Sequence, residues 1–398
     1  MASKDKPYRV YRGGRVKGPI RPETRKESGR RLRGDGEDPY EGGGREKPRR
    51  RRGGARRWLR IGLIVLLLLV LLAVVWGVLG YLAFRSGVKD ANERLDSRVD
   101  RVLAPQDGSI LSNPATLLVL GTDEAKGRQG PFRSDAMMLV RTDPDEHRIA
   151  LLSIPRDLRV DIPGHGTGKI NAAYAFGGAT LAVNTVKRLT GVPINHVVVM
   201  NFADFREVID ELGGVTIDVP RKILSNPFDC PFKTRAECSR FKGYRFSKGE
   251  HEMGGYRALI YARIRENQLN PRETDVTRGQ RQQQVLEAVA DEVVSIRTFL
   301  RMPFIGDGLV APLATDLSAN QLIELGWVKK RTPRSGTIRC RLGGTVADIG
   351  GVSYILGSEE NVSVVAMVTG ESAPQPPPPG SGPFGPGCFV GSSPGSSG

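Results

Sequence analysis

One stretch limits what this chain can be before any other does. Residues 61–84, from Ile61 to Phe84, read IGLIVLLLLVLLAVVWGVLGYLAF, without a charged side chain. As a helix at ~1.5 Å per residue they span roughly 35 Å, enough to cross a hydrocarbon core of ~30 Å. The chain is therefore expected to be a single-pass membrane protein whose folded part lies on one side. Arg49, Arg50, Arg51, Arg52, Arg56, Arg57 and Arg60 crowd the amino-terminal flank. The positive-inside rule then puts residues 1–60 in the cytoplasm and everything after Phe84 outside. A cleaved signal peptide is disfavoured: its apolar core runs only ~7–15 residues and ends in a small-x-small site, which does not follow here.

Charge supports the same division. Residues 1–60 hold 21 Lys/Arg against 8 Asp/Glu, whereas the remaining 338 hold 38 against 35. The basicity belongs to a tail, and the rest is close to neutral. A basic tail suits nucleic acid or an anionic membrane surface. The adjoining span decides for the membrane, and no nucleic-acid partner is expected. Residues 1–57 lack apolar periodicity and read as disordered.

Beyond the span, residues 85–112 read as a polar linker, with helix possible across Val88–Val102. A folded extracytoplasmic domain is expected over 113–372, its motifs within 114–300, followed by a flexible Pro/Gly/Ser-rich tail at 373–398. Thr116–Leu120, Met137–Arg141, Ile149–Ile154, His196–Met200 and Val215–Val219 are apolar runs of strand length. Ala179–Leu189, Phe202–Leu212 and Leu317–Lys330 carry apolar residues at helical spacing, Ser318 being a candidate cap for the last. Arg278–Phe299 reads as one long amphipathic helix whose Val285, Val289 and Val293 stripe is assigned to the core. Thr337–Arg341 and Val362–Val368 are expected as late strands. Strands alternating with helices indicate an α/β fold with a mixed or parallel sheet.

All four cysteines, Cys230, Cys238, Cys340 and Cys388, lie on the outer side, where disulfides persist. Four allow three pairings, and Cys230–Cys238 with Cys340–Cys388 is favoured. Zinc is disfavoured because no second close cysteine pair exists and the four histidines are scattered.

The candidate chemistry sits in short polar clusters: Gly121-Thr122-Asp123, Arg133-Ser134-Asp135, Pro155-Arg156-Asp157, Lys169-Ile170-Asn171, Arg263-Ile264-Arg265 and Arg278-Gly279-Gln280-Arg281-Gln282. Several arginines with a few aspartates suit a diphosphate and one divalent metal. Asp123 closes a strand, where α/β sheets collect ligands. Asp123 and Asp135 can hold Mg²⁺ or Mn²⁺, with water and phosphate oxygens completing the shell. Arg156 and Asp157 share that edge if their strands run parallel. Arg263 and Arg265 share a face only if their segment is extended, and guanidinium forks grip phosphate oxygens bidentately. Arg278 and Gln282, four apart, share a face at a helix start. Each cluster also has a plain reading as solvated charge. A P-loop-like stretch at 164–169 fails because Pro163 stands where its first glycine belongs and Ile170 replaces Ser/Thr. A G-x-S-x-G match at 391–395 lies in the tail.

Taken in order and spacing, these clusters resemble those of the LytR-CpsA-Psr family of cell-wall enzymes, over about residues 114–300 and more weakly to about 370. The resemblance implies an α-β-α sandwich with a mixed central sheet and a long apolar pocket for a polyprenyl chain. It implies a membrane-anchored phosphotransferase of a Gram-positive-type bacterium. Such an enzyme moves an anionic glycopolymer, teichoic-acid-like or another wall polysaccharide, from a polyprenyl diphosphate carrier to peptidoglycan. By matching position, Asp123 and Asp135 would hold Mg²⁺, and Arg133, Arg156, Arg263, Arg265, Arg278, Arg281 and Gln282 would grip the diphosphate, with Lys169 and Asn171 nearby. Asp123 or Asp157 would take the acceptor proton. Ala136 stands where the family often has Thr. Hydrolysis of the same lipid, or a regulatory role, are the competing functions.

Overall fold

The structure, a computed structural model, describes residues 53–124, 132–232, 234–271, 273, 275–381 and 384–391. The expectation for the basic tail up to 52, and the G-x-S-x-G match beyond 391, lie outside the described residues. Two units separate along the chain, Met1–Gly62 and Leu63–Gly398. Within the first, the described residues belong to the start of α1 (Gly53–Arg94). The second holds the domain.

Seven strands form its central sheet: β1 (Ala115–Thr122), β2 (Ser134–Asp143), β3 (Arg148–Ser153), β4 (His196–Asn201), β5 (Ala314–Thr315), β6 (Thr337–Arg341) and β7 (Gly387–Val390). Their order is β5-β4-β1-β2-β3-β6-β7. β1 pairs with β4, and β3 with β6, in parallel; the other neighbours are antiparallel. The remaining helices are α2 (Ala172–Thr190), α3 (Phe202–Leu212), α4 (Arg235–Arg240), α5 (Gly255–Arg263), α6 (Asp275–Val293), α7 (Ile296–Val310), α8 (Ala319–Arg331) and α9 (Glu360–Thr369).

Alternation along β1 sorts the layers, because successive strand side chains face opposite ways. Leu118 and Leu120, with Leu139, Ala150 and Leu152, pack on Ala182, Val183 and Val186 of α2 and on Val364 and Val368 of α9. Leu117 and Val119 face the other way. Leu117 meets Leu317, just before α8, and Val328 of α8, while Val119 and Met138 sit with Leu286 of α6. The result is an α-β-α sandwich with a mixed sheet, as the resemblance implies. A second apolar cluster joins α3, α5, α6 and α7, and includes Phe84, Val88 and Ala91 of α1.

α1 continues past Phe84 to Arg94 and a 3₁₀ turn follows at Ser97–Arg101, where helix was expected as possible across Val88–Val102. Three expectations are corrected. The long helix expected from Arg278 to Phe299 is two helices, because Ser295 leaves the helical conformation and its side chain caps Thr298 N–H. Val362–Val368 is helical, not a strand: Val364, Met367 and Val368 are buried at i, i+3 and i+4, and Gly370 closes the helix at φ 90°. The segment expected as a flexible tail supplies β7, whose Cys388 is buried and bonded to Cys340. Cys230 bonds to Cys238, so both favoured pairings are present.

Candidate active site

The carboxyl ends of β1, β3, β4 and β6 point the same way, since β2 returns antiparallel between β1 and β3. Asp123 follows β1, Arg156 lies just past β3, and Arg341 ends β6. Asp135 reaches this edge from the start of β2 through a β-bulge. Gly121 pairs with Ala136 and Thr122 with Ser134, so Asp135 has no residue opposite. A bulge re-aims a side chain in this way.

A line of alternating charge follows. Arg156 Nη1 donates to Asp135 Oδ1 at 2.7 Å, and Arg156 Nε lies 3.4 Å from Asp157 Oδ2. Lys169, at the end of the hairpin strand Gly166–Lys169, donates to Asp157 Oδ1 at 2.7 Å. Burial alone would raise the Asp157 carboxyl; the Lys169 hydrogen bond and the charges of Arg156, Lys169 and Arg278 outweigh it and hold the group below its ordinary range. Asn171 is buried and its N–H donates to Arg156 O at 3.2 Å, which fixes the backbone under that arginine. Asp123 and Arg133 clamp each other: Arg133 N–H donates to Asp123 Oδ1 at 2.8 Å, and Asp123 N–H to Arg133 O at 3.2 Å.

The opposite wall comes from α5 and α6. Arg263 and Arg265 do not share a strand face. Arg263 is the last residue of α5, Ile264 turns extended (φ −62°, ψ 122°), and Arg265 leaves the helix. Both nevertheless line one cleft of about 330 Å³ with Asp135, Phe202, Phe228, Arg278 and Gln282. The Arg263 guanidinium lies over the Phe202 ring at 4.7 Å and the Phe228 ring at 5.5 Å, and pairs with Asp229. Burial lowers its pKa, with Asp135 acting in the opposite direction; a guanidinium stays charged regardless. Arg278 and Gln282 lie on the cleft side of α6, as their i, i+4 spacing predicts. Gly279 between them eases the approach: a Cβ there would sit 2.7 Å from Ser153 Oγ, which would have to turn away.

Arg281 is placed differently. It is 4% exposed, pairs with buried Glu273, and donates to Ile264 O at 2.8 Å. That carbonyl lies between Arg263 and Arg265, so Arg281 holds the backbone that presents them.

Beside the cleft lies an apolar cavity of about 120 Å³, walled by Val119, Met138, Met200, Phe205, Leu259, Val285, Leu286 and Val289. Val285 and Val289, assigned to the core from their spacing, are thus also cavity wall. Gly121 and Ala136 face each other across the β1–β2 pair and hollow its floor: a Cβ on Gly121 would lie 3.0 Å from Ala136 Cβ. Ala136, Arg263 and Gln282 line both the cavity and the cleft.

Sequence reasoning missed Arg341, Phe202, Phe228 and Asp229. Arg341 lines the same edge as Arg156 and Arg278; burial brings its pKa down to about 10. Its position at the end of a strand parallel to β3 was the available signal. Phe228 and Asp229 come from the disulfide-bearing excursion at 222–250, and nothing in their local sequence marks them.

For a divalent cation the donor chemistry fits. Asp123 and Asp135 flank Thr122 and Ser134, whose buried hydroxyls find no hydrogen-bond partner among the described residues. Hard oxygen donors of this kind suit Mg²⁺. The described residues contain no group of three His, Cys, Asp or Glu placed to hold a metal, so most of the shell would come from water and a bound phosphate.

An α/β domain with an arginine-rich cleft beside an apolar cavity, behind one bilayer-length helix, defines a class that handles amphiphilic phosphates. Comparison with known proteins narrows it. The family described as LytR_cpsA_psr matches residues 82–368, and the chain belongs to that family. It is 33% identical over 270 residues to the polyisoprenyl-teichoic acid–peptidoglycan teichoic acid transferase TagV of Bacillus subtilis, covering 66% of this chain and 65% of TagV. It thus spans just under two thirds of that relative's length. Identity to TagT of the same organism, named for the same transfer, is 30% over 285 residues, 71% of this chain and 84% of TagT. The regulatory protein MsrR of Staphylococcus aureus is 32% identical over 247 residues, 61% of this chain and 68% of MsrR. Among solved structures, TagT bound to LIIa-WTA superposes with a TM-score of 0.53 at 28% identity, covering 67% of this chain and 93% of that one. Crystalline B. subtilis TagV gives 0.54 at 28% identity, covering 65% and 97%.

Proposed function

We propose that this chain is a membrane-anchored transferase that moves a glycopolymer from a polyprenyl diphosphate carrier to peptidoglycan. The observation that carries this reading is that cleft and cavity adjoin, sharing Ala136, Arg263 and Gln282 as walls. A diphosphate with a hydrocarbon tail matches a site that is cationic at one end and greasy at the other. The names of TagV and TagT as teichoic acid transferases support the same choice.

In the proposed reaction a peptidoglycan sugar hydroxyl attacks the sugar-bearing phosphorus. A new P–O bond forms, the bond to the bridging oxygen breaks, and polyprenyl phosphate departs. Such a transfer needs in-line placement and charge neutralisation rather than covalent help from the protein. Arg156, Arg263, Arg265 and Arg278 supply the positive charge, in a partly buried setting where it acts strongly. Asp123 or Asp157 would take the hydroxyl proton; Lys169, Arg156 and Arg278 reduce the basicity of Asp157, and a cation on Asp123 would do the same there. A divalent cation on Asp123 and Asp135 would supply further neutralisation of the phosphate oxygens. Asp229 pairs with Arg263 and must yield that guanidinium when the diphosphate arrives. The cavity is smaller than the ~300–1,000 Å³ usual for ligand pockets, so a long prenyl chain requires its walls to part. Met138 and Met200 are the side chains best suited to that.

The test supplies the lipid-linked polymer and isolated peptidoglycan to the full chain, with Mg²⁺ or with a chelator. Polymer attached to peptidoglycan, with stoichiometric polyprenyl phosphate, is the expected result. Release of polymer phosphate into solution without attachment would establish hydrolysis instead.

A further inference from the structure

α7 is amphipathic in the wrong direction for a domain surrounded by water. At about 100° per residue, Ile296, Phe299, Leu300 and Phe304 fall on one side of it. They are 71%, 58%, 56% and 74% exposed. Arg301 turns inward, donating to Leu212 O at 2.9 Å and Glu211 O at 3.1 Å and capping the end of α3; Arg297 stays half exposed, 3.9 Å from Glu252. Ile305, Leu309 and Val310 fill the core side. A helix in water presents its charges outward and buries its large apolar groups; here an arginine is spent inside and two phenylalanines are left out.

The surroundings identify the missing solvent. α7 packs on the last part of the apolar run of α1. A Cβ on Gly87 would overlap Asp307 backbone at 2.3 Å, and one on Gly306 would lie 2.9 Å from Phe84 N, so the two backbones approach as closely as glycine allows. The Trp76 and Phe304 rings meet at 5.4 Å. Val78, Leu79 and Leu82 of α1 are as exposed as the outward face of α7, so the two helices present one continuous apolar surface. The α1 part of it is the outer end of a bilayer-length run, where Trp and Tyr mark the headgroup level; Trp76 and Tyr81 stand there.

We propose that the outward face of α7 is immersed in the outer leaflet of the membrane, as a second lipid contact beside the span. Ile296, Phe299, Leu300 and Phe304 lie among the upper acyl chains, beside the apolar run of α1. The consequence concerns the substrate. α7 packs on α3, which contributes Phe205, Val208 and Ile209 to the apolar cavity. Seating α7 in lipid sets that wall at the leaflet that would hold a prenyl chain. A second lipid contact beside the span also limits the tilt of the domain, which one flexible anchor would not.

This inference rests on the reading of α1 as a membrane span, and the test separates the two. The four cysteines are paired in disulfides, so a single introduced thiol can be spin-labelled. Full-length chains carrying Phe304→Cys, Leu300→Cys, Val70→Cys in the span, or Glu146→Cys in the exposed turn after β2 are reconstituted into phosphatidylcholine/phosphatidylglycerol vesicles. Collision with oxygen and with a water-soluble nickel chelate is then measured by power saturation. Labels at 304 and 300 are expected to favour oxygen over nickel several-fold more than the label at 146, as the label at 70 does. If 70 behaves as lipid-facing but 304 and 300 match 146, the proposal is wrong and the span stands. If 70 itself matches 146, the span reading fails and takes this one with it.

Discussion

Arg156, half-buried, and Arg281, buried, are both arginines paired with carboxylates, and the structure assigns them opposite failures. Arg281 and Glu273 are each 4% exposed. Arg281→Met leaves Glu273, among the described residues, with Asn267 Nδ2 at 2.9 Å and Arg221 at 3.8 Å. Removing one member of a buried pair costs about 3–5 kcal/mol; the two remaining partners favour the low end. For a domain of this size each kcal/mol moves Tm by about 2–4 °C, so a fall of about 6–12 °C is expected. Arg156→Ala removes partners from Asp135 and Asp157, but their side chains are 31% and 25% exposed and Asp157 keeps Lys169. Solvent screening holds that loss to about 1–2 kcal/mol, or about 2–8 °C. The order reverses for transfer. Withdrawing a cation aimed at developing phosphate charge costs about 10²–10³ in rate, whereas Arg281→Met, assayed well below its Tm, retains most activity. Melting followed by circular dichroism, beside the peptidoglycan-attachment assay, reads both. The reasoning is refuted if Arg156→Ala transfers within about tenfold of the parent, or if Arg281→Met loses transfer with an unmoved Tm.

Three further outcomes are expected. Asp157 has a folded pKa below its ordinary 3.8, so its stabilisation is complete above that value and is lost as pH falls through the folded one; Asp157→Asn should flatten this acid limb of a Tm–pH profile, and an unchanged limb would count against the pairing. The Cys340–Cys388 bond closes a 48-residue separation and Cys230–Cys238 one of 8; by chain entropy these are worth about 4 and about 2.5 kcal/mol. Replacing the first pair by alanine should therefore lower Tm more than replacing the second, and the opposite order would show that the excursion at 222–250 bears more of the fold than its exposed surface suggests. Gly121→Val projects methyl groups from a site where a Cβ already lies 3.0 Å from Ala136 Cβ; it should weaken retention of a polyprenyl phosphate while leaving binding of inorganic pyrophosphate in place, and equal loss of both would argue against a separate prenyl cavity.

The legible part of this molecule was the part governed by local pattern. Val215–Val219 and Thr337–Arg341 keep their expected bounds because their alternation survives folding, and Ser318 caps α8 through a capping box with Gln321 that the sequence spells out. The misread segments are those where a residue type outweighed a spacing. Val362–Val368 is rich in β-branched side chains, yet Val364, Met367 and Val368 recur at helical intervals, and tertiary burial of that stripe prevailed over propensity. Arg263-Ile264-Arg265 was judged as one element, whereas the helix ends inside it.

For the site, the limit is one of topology rather than chemistry. Asp123 and Arg156 were expected at one edge only if their strands run parallel, and the antiparallel β2 between them makes that so. Asp135 belongs to the group because of a one-residue bulge, which no alternation pattern reveals. Arg341 and Asp229 arrive from positions 185 and 73 residues beyond Arg156 in the chain, and only the parallel pairing of β3 with β6 and the folding of the 222–250 excursion bring them in. The motif clusters therefore supply the charges, while the sheet edge decides which of them act together. Arg281 makes the distinction concrete: it sits in the same motif as Arg278 and Gln282, three residues from one and next to the other. Helical rotation turns it onto the Ile264 carbonyl, so its contribution to phosphate binding passes through the backbone that presents Arg263 and Arg265.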